Sequence, residues 1–265
     1  MTHPRSWHAE WGCLNAWPAL TSAVHDGWVL RFANGLTRRA NSANPLDGAA
    51  RLSGDTLQYF ENLFRAVDLP LIIRVPTLLD PGVDAGLERF GFAAEGESLV
   101  LYGEFADLQA HWDAAVEVLS APDAAWRDAI TQLQGRTEAQ RATYEDVIYS
   151  IVLPAGFASL KIEDEVVALA YGAIDGDLLC CESVVTAERH RGRGYGRRLV
   201  AGLFGWAQRH HATAVCLQVE TNNTAGIALY RSLGLVTELH RYHYRRQRAV
   251  AAAGFQTGTN LPGRR

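Results

Sequence analysis

The sequence predicts a mixed α/β protein of the α+β type, with one pattern of elements used twice. Three observations lead there. Strand-like and helix-like runs alternate along the chain, with turn residues between them. The series of hairpin, helix, strand, short helix and strand in residues 27–105 parallels a similar series in residues 156–245. A Gly-rich basic turn, Arg189 to Leu199, sits where an apolar strand hands over to an amphipathic helix, and it occurs only in the second copy.

The elements follow in order. Residues 13–24 carry a short helix-like run. His25-Asp26-Gly27 is a turn into a strand, Trp28 to Ala33. Asn34-Gly35 signals a hairpin, with Leu36 to Ala43 as its return strand. Ser53-Gly54-Asp55 caps a helix with Leu57, Phe60, Leu63, Phe64 and Val67 at helical spacing. Leu71 to Val75 is a buried strand closed by Pro76. Asp80-Pro81-Gly82 starts a short helix ending at Phe90-Gly91-Phe92, and Ser98 to Phe105 is a strand. Trp112 to Leu119 reads as strand or short helix. Ser120-Ala121-Pro122-Asp123 caps a helix through Leu133, and Thr137-x-x-Gln140 has capping-box spacing for a helix to about Tyr149. Phe157 to Ile162 and Val166 to Ile174 form a hairpin. Strand Leu178 to Val185, the Gly-rich turn, a helix to about His210, strand Ala214 to Glu220, helix Thr224 to Leu233 and strand Leu235 to Tyr244 complete the series.

Composition sets limits. The 265 residues are 48% hydrophobic and 20% charged, as in a globular protein of one large or two small domains. A net charge of −4 gives no support to a general nucleic-acid role. The four cysteines, Cys13, Cys180, Cys181 and Cys216, form no Cys-x-x-Cys pair, so neither a metal site nor a disulfide framework is expected. Residues 1–8 hold no apolar signal core and no run of eighteen apolar residues occurs, so the expectation is a cytoplasmic chain with no membrane contact.

The Gly-rich turn carries the chemistry. Gly192, Gly194 and Gly196 let the backbone turn tightly and bring amides near a ligand. A helix start leaves amide donors free and favours an anion such as a pyrophosphate. Five arginines in residues 189–198 add charge of the right sign. The spacing is not the Gly-x-Gly-x-x-Gly of a dinucleotide fold. A disordered Arg-Gly RNA-binding segment and a solvated basic helix start are the competing interpretations.

The second half resembles the GNAT superfamily of acetyl-CoA-dependent N-acetyltransferases. Arg191-x-x-Gly194-x-Gly196 matches that family's acyl-CoA motif, and Asn223 to Leu235 matches its Asn-x-x-Ala-x-x-x-Tyr-x-x-x-Gly-Phe motif, with Gly226 in place of Ala and Leu235 in place of Phe. The resemblance covers about residues 115–246. It implies tandem GNAT-like folds, each a mixed, mostly antiparallel sheet flanked by helices. The expected division is a degenerate GNAT-like domain in residues 1–108, the N-acetyltransferase domain in 109–248, and a flexible tail in 249–265.

Transfer of an acetyl group from acetyl-CoA to an amine makes four demands. The turn Arg191, Gly192, Arg193, Gly194, Tyr195, Gly196 and Arg197 would anchor the pyrophosphate. The backbones of Val184 and Val185 would hold the pantetheine, and an amide near Val185 would serve the oxyanion. The resemblance places the acid that protonates the thiolate at Tyr230, with Asn223 contacting the cofactor; a core tyrosine beside Leu229 and Leu233 is the plainer interpretation. Glu182, or else Glu220, is the candidate base, and either could instead partner an arginine. His190 is expected to line the turn. Arg38, Arg39 and Asn41 are candidate substrate contacts; as a strand, Arg38 and Ala40 would share one face and Arg39 and Asn41 the other. No cysteine has an evident base beside it, so direct attack in a ternary complex is expected. The acceptor would be a small-molecule amine or amino acid, or a peptide N-terminus. The alternative is a non-catalytic acyl-CoA-binding sensor or interaction module.

Overall fold

The structure is a computed structural model that describes residues 3–108, 113 and 115–247. The tail expected at 249–265 lies outside the described residues, as does Trp112. The first half runs α1 (Ser6–Ala16), β1 (Thr21–His25), β2 (Trp28–Phe32), β3 (Ala43–Pro45), α2 (Gly54–Ala66), β4 (Ile72–Pro76), α3 (Pro81–Arg89) and β5 (Phe92–Glu104). The second runs β6 (Val116–Leu119), α4 (Ala124–Leu133), α5 (Glu138–Tyr149), β7 (Ala155–Ile162), β8 (Glu165–Asp175), β9 (Leu178–Thr186), α6 (Tyr195–Arg209), β10 (Ala214–Glu220), α7 (Thr224–Ser232) and β11 (Thr237–Gln247). No helix among the described residues is long and apolar enough to cross a membrane.

The caps act as expected. Ser53 and Asp123 side chains accept from Thr56 and Trp126 amides, Asp80 accepts from Gly82, and Thr137 with Gln140 forms the full capping box. Each is worth about 1 kcal/mol.

Two local expectations are corrected. The first helix starts at Ser6, and residues 21–25 are a strand. Its buried face is Ser6, Ala9, Glu10, Gly12, Cys13 and Ala16, small side chains and one charge, so it leaves no apolar stripe to read. The small face lets the helix lie close on the sheet: a Cβ on Gly12 would stand 2.8 Å from Cys180 Sγ. The hairpin turn, in turn, is Asp26-Gly27, both at positive φ (53° and 80°), between β1 and β2. Asn34-Gly35 also turns left-handed, but a 3-10 turn, Arg38–Ala40, replaces the return strand. The cause is local hydrogen bonding. Asn41 Oδ1 accepts from the Ala33 and Gly35 amides, its Nδ2 donates to Thr37 O, and Thr37 Oγ1 accepts from Ala40 N. Such side-chain bonds compete directly with a strand ladder.

The eleven strands of the described residues join one sheet, in the order β1-β2-β3-β4-β11-β5-β10-β9-β8-β7-β6. The two copies therefore do not close into separate sheets. The last strand of each half crosses over: β5 lies between β11 and β10, and β11 lies between β4 and β5, antiparallel to its neighbours. The α6 and α7 face buries Leu199, Leu203, Phe204 and Leu233 against the second half's strands. The opposite face receives α1.

A buried charge cluster fixes this seam. Arg74 on β4 donates to both oxygens of Glu10 on α1 (2.6 and 3.0 Å), and His240 on β11 lies 2.6 Å from Glu10 Oε1. The three side chains are 1–2% exposed. Burial works against the Glu10 carboxylate, yet Arg74 and His240 outweigh it and hold its pKa down at about 2. Removing one member of such a pair strands a buried charge, a loss of about 3–5 kcal/mol.

Candidate active site

Strands β9 and β10 are parallel and paired from Ala214↔Leu178 to Leu217↔Cys181. Both continue, but no further pair joins them. The cause lies in β9. Tyr171↔Glu182 and Leu169↔Val185 leave one extra residue on β9, and Ser183 sits at φ 54°. This bulge keeps β9 with β8 and turns it away from β10, opening a cleft. Two cavities meet there.

The first, about 690 Å³, lies between the turn after β9 and helix α7. Gly192 and Gly194 have φ of 75° and 79°, a left-handed conformation that an L side chain would strain. Gly194 is the N-cap of α6 and supplies no side-chain cap, so the first amides of a 15-residue helix stay available to an anion. A Cβ on Gly196 would meet Leu229 Cδ1 at 2.8 Å and Thr186 Oγ1 at 3.1 Å, so glycine there lets α6 abut α7 and β9. Val184, Val185, His190, Arg191 and Arg197 complete that wall. Arg193 is exposed and outside it. Arg189 pairs with Glu165, and Arg198 with Asp113 at 2.6 Å.

On α7, Asn223 caps its own helix, accepting from Gly226 N at 2.9 Å. Tyr230 is buried on the inner face and lines both cavities. Burial first, then the neighbouring Cys181 and Glu182, push its phenol well above 10, so it stays protonated at neutral pH.

The second cavity, about 270 Å³, lies on the other side of the cleft. Its walls include Arg39, Glu182, Gln218 and Glu220, and it shares Val184, Asn223 and Tyr230 with the first cavity. Glu182 is 2% exposed, and both its oxygens accept from Arg39 Nη1 at 2.7 and 2.8 Å. Burial raises its carboxyl pKa above the usual 4.5 against the pull of Arg39. Glu220, half exposed, accepts from Arg38 Nη2 at 2.8 Å. The arginines come from the 3-10 turn of the first half. Buried Arg31 holds that turn, donating to Arg39 O at 2.8 Å while binding Leu14 O and Trp17 O at the end of α1. Arg39 also lies over the Trp17 ring, 5.3 Å from its centroid.

The two candidate bases and two of the candidate substrate contacts are thus partners, 143 positions apart in the case of Arg39 and Glu182. Asn41 is buried, its amide is used inside the turn, and it lines neither cavity. Ser183 and Gln218 went unrecognised. Gln218 accepts from the Tyr242 hydroxyl at 3.1 Å, and its one signal was a polar residue inside an apolar strand. The fold also gathers three cysteines. Cys13, Cys180 and Cys216 have sulfurs within 4.8 Å of one another, buried at the point where α1 meets β9 and β10. Spacing of 13, 180 and 216 carries no trace of that.

The first half has a counterpart cavity of about 230 Å³, beside Arg51, Leu52 and α3. There Ser53 caps α2 with its own hydroxyl, which takes the Thr56 amide.

Residues 8–245 match the family described as "Probable histone acetyltransferase Rv0428c C-terminal". "Uncharacterized N-acetyltransferase YobR" of Bacillus subtilis is 24% identical over 237 residues, covering 88% of this chain and 95% of that protein. "Probable histone acetyltransferase Rv0428c" of Mycobacterium tuberculosis is 28% identical over 244 residues, 91% of this chain and 73% of that one. In fold, the chain is similar to a GCN5-related N-acetyltransferase from Kribbella flavida (TM-score 0.70, 18% identity, 93% and 96% covered). It is also similar to a tandem GNAT protein from the clavulanic acid biosynthesis pathway (TM-score 0.62, 14% identity, 83% and 77% covered).

Proposed function

The chain belongs to the GNAT-type N-acetyltransferases, in the family of the Rv0428c C-terminal region, and from that premise we propose that it moves an acetyl group from acetyl-CoA to a primary amine by direct attack. The observation that carries this is the meeting of two cavities, one glycine-cradled and one lined by carboxylates, at Val184, Asn223 and Tyr230.

The residues suit the substrate. The left-handed glycines 192 and 194, the uncapped start of α6 and the flanking Arg191 and Arg197 fit a pyrophosphate. The edge of β9 beyond Cys181, freed by the Ser183 bulge, suits an extended amide arm, with Val184 and Val185 nearest. Backbone amides at that edge would receive the developing oxyanion. Glu182, with its carboxyl made more basic by burial, would take the ammonium proton, and Glu220 stands at the mouth. Tyr230, protonated and between the cavities, would return a proton to the departing thiolate.

Direct attack is favoured over an acetyl-enzyme. Cys181 lines the second cavity, but burial and then Glu182 push its thiol far above the usual range, which makes it a poor nucleophile. The mycobacterial relative is named for a histone acceptor. The second cavity, about 270 Å³, suits a small amine or amino acid. No part of this chemistry needs a metal, and a cytoplasmic setting with free thiols is consistent with it.

The test is release of CoA thiol from acetyl-CoA over a panel of small amines, amino acids and peptides, with acetylated product identified by mass. Amine-dependent release is the expected result. Binding of acetyl-CoA with no release for any acceptor would favour a sensor instead.

A further inference from the structure

The second cavity is electrically balanced before any acceptor enters. Arg39 holds Glu182, Arg38 holds Glu220, and Glu95, 3.8 Å from Arg38, is held by Arg246 at 3.1 Å, three cations against three anions. The inner pair is desolvated on its acidic side, where Glu182 is 2% exposed, while Arg39 is 26% exposed toward the cavity. A bare ammonium would add a positive charge to a site whose glutamates are already taken. A bare carboxylate would leave Tyr230 and the cleft without an amine. A zwitterion adds no net charge and can exchange partners with the existing pair.

We propose that the acceptor is a zwitterionic amino acid, and that Arg39 selects it by giving up Glu182 in exchange for the acceptor's carboxylate. This rests on the transferase reading above. The acceptor's ammonium then takes the place of Arg39 at Glu182. One Arg39 nitrogen, Nη1, makes both bonds to Glu182, so the guanidinium can swing its fork onto a second carboxylate without moving its backbone. That backbone is fixed by Arg31, and the guanidinium rests on Trp17. Recognition and proton acceptance become one event. Losing the guanidinium removes the pull that restrains Glu182, whose carboxyl burial already makes basic. Glu182 then takes one proton from the ammonium, and the freed nitrogen lone pair attacks the thioester carbonyl; the C–S bond breaks, Tyr230 protonates the departing thiolate, and the second nitrogen proton returns to the tyrosinate.

Leucine, leucine methyl ester and 3-methylbutylamine, with matching trios for other side chains, provide the test at saturating acetyl-CoA. The free acid of the best trio is expected to exceed its ester and amine in kcat/KM by at least about tenfold, the worth of one good charge-assisted pair. R39Q is expected to shrink that ratio to within about threefold, mainly through the KM of the acid. R39Q also strands a buried carboxylate, so R39K serves beside it: it keeps the charge, loses the fork, and is expected to give an intermediate ratio. Esters or amines used as well as acids by the unaltered protein would overturn the proposal. So would a ratio unchanged in both R39Q and R39K. Absence of thiol release with every acceptor in every form would instead overturn the transferase reading itself.

Discussion

Gly194→Glu is expected to abolish acetyl-CoA binding while leaving the protein folded. The substitution adds two effects. Glycine at φ 79° tolerates a left-handed turn that glutamate would strain by about 1 kcal/mol, which a folded protein of this size survives. Nothing lies within 4 Å of the added Cβ, so no packing is broken. The carboxylate, however, stands at the start of α6, where it would use the free amides and repel a pyrophosphate. Acetyl-CoA at about a hundred times its Kd stabilises a protein by about 2.7 kcal/mol. For a chain of this size that is a rise in melting temperature of roughly 5–10 °C. Gly194→Glu is expected to show no rise, and Gly194→Ala a reduced one. A full rise in Gly194→Glu would remove the turn from the binding account.

Tyr230→Phe is expected to lower kcat by about a hundredfold or more, the usual worth of a positioned acid. The KM for acetyl-CoA should stay within about threefold. The ring is buried in the apolar cluster that also holds Leu199, Val219 and Leu233, and phenylalanine keeps that burial. Only the hydroxyl between the cavities is lost. Thiol release at saturating substrates gives the rate, and the melting shift with acetyl-CoA reports binding. Normal turnover would make Tyr230 a core residue and nothing more.

Much of this was legible in the sequence because it is local. Caps such as Ser53, Asp80, Asp123 and Thr137 act within three residues of themselves. The Gly192 and Gly194 turn is a backbone requirement that only glycine meets cheaply, and Asn223 to Tyr230 lies on one helix. The strand crossover was not legible. β5 and β11 carry ordinary strand patterns, and alternation tells a strand's faces but not its neighbours. α1 escaped because its buried face is made of small residues. Asn34-Gly35 misled because Asn41 and Thr37 hold the following residues in a tight turn. That same turn brings Arg38 and Arg39 to Glu220 and Glu182, so what looked like a charged strand is the first half's contribution to the site. In physical terms the crossover explains why the halves stay together: the seam holds Glu10, Arg74 and His240, and the second cavity draws walls from both sides of it.

The most direct measurement is an experimental structure with acetyl-CoA bound. The expected result places the pyrophosphate on the amides of Gly192 to Gly196, and the thioester between Val184 and Tyr230 with Glu182 on its far side. A cofactor seated in the counterpart cavity beside Arg51 and α3, or a thioester separated from Tyr230 by the wall of α7, would contradict the account.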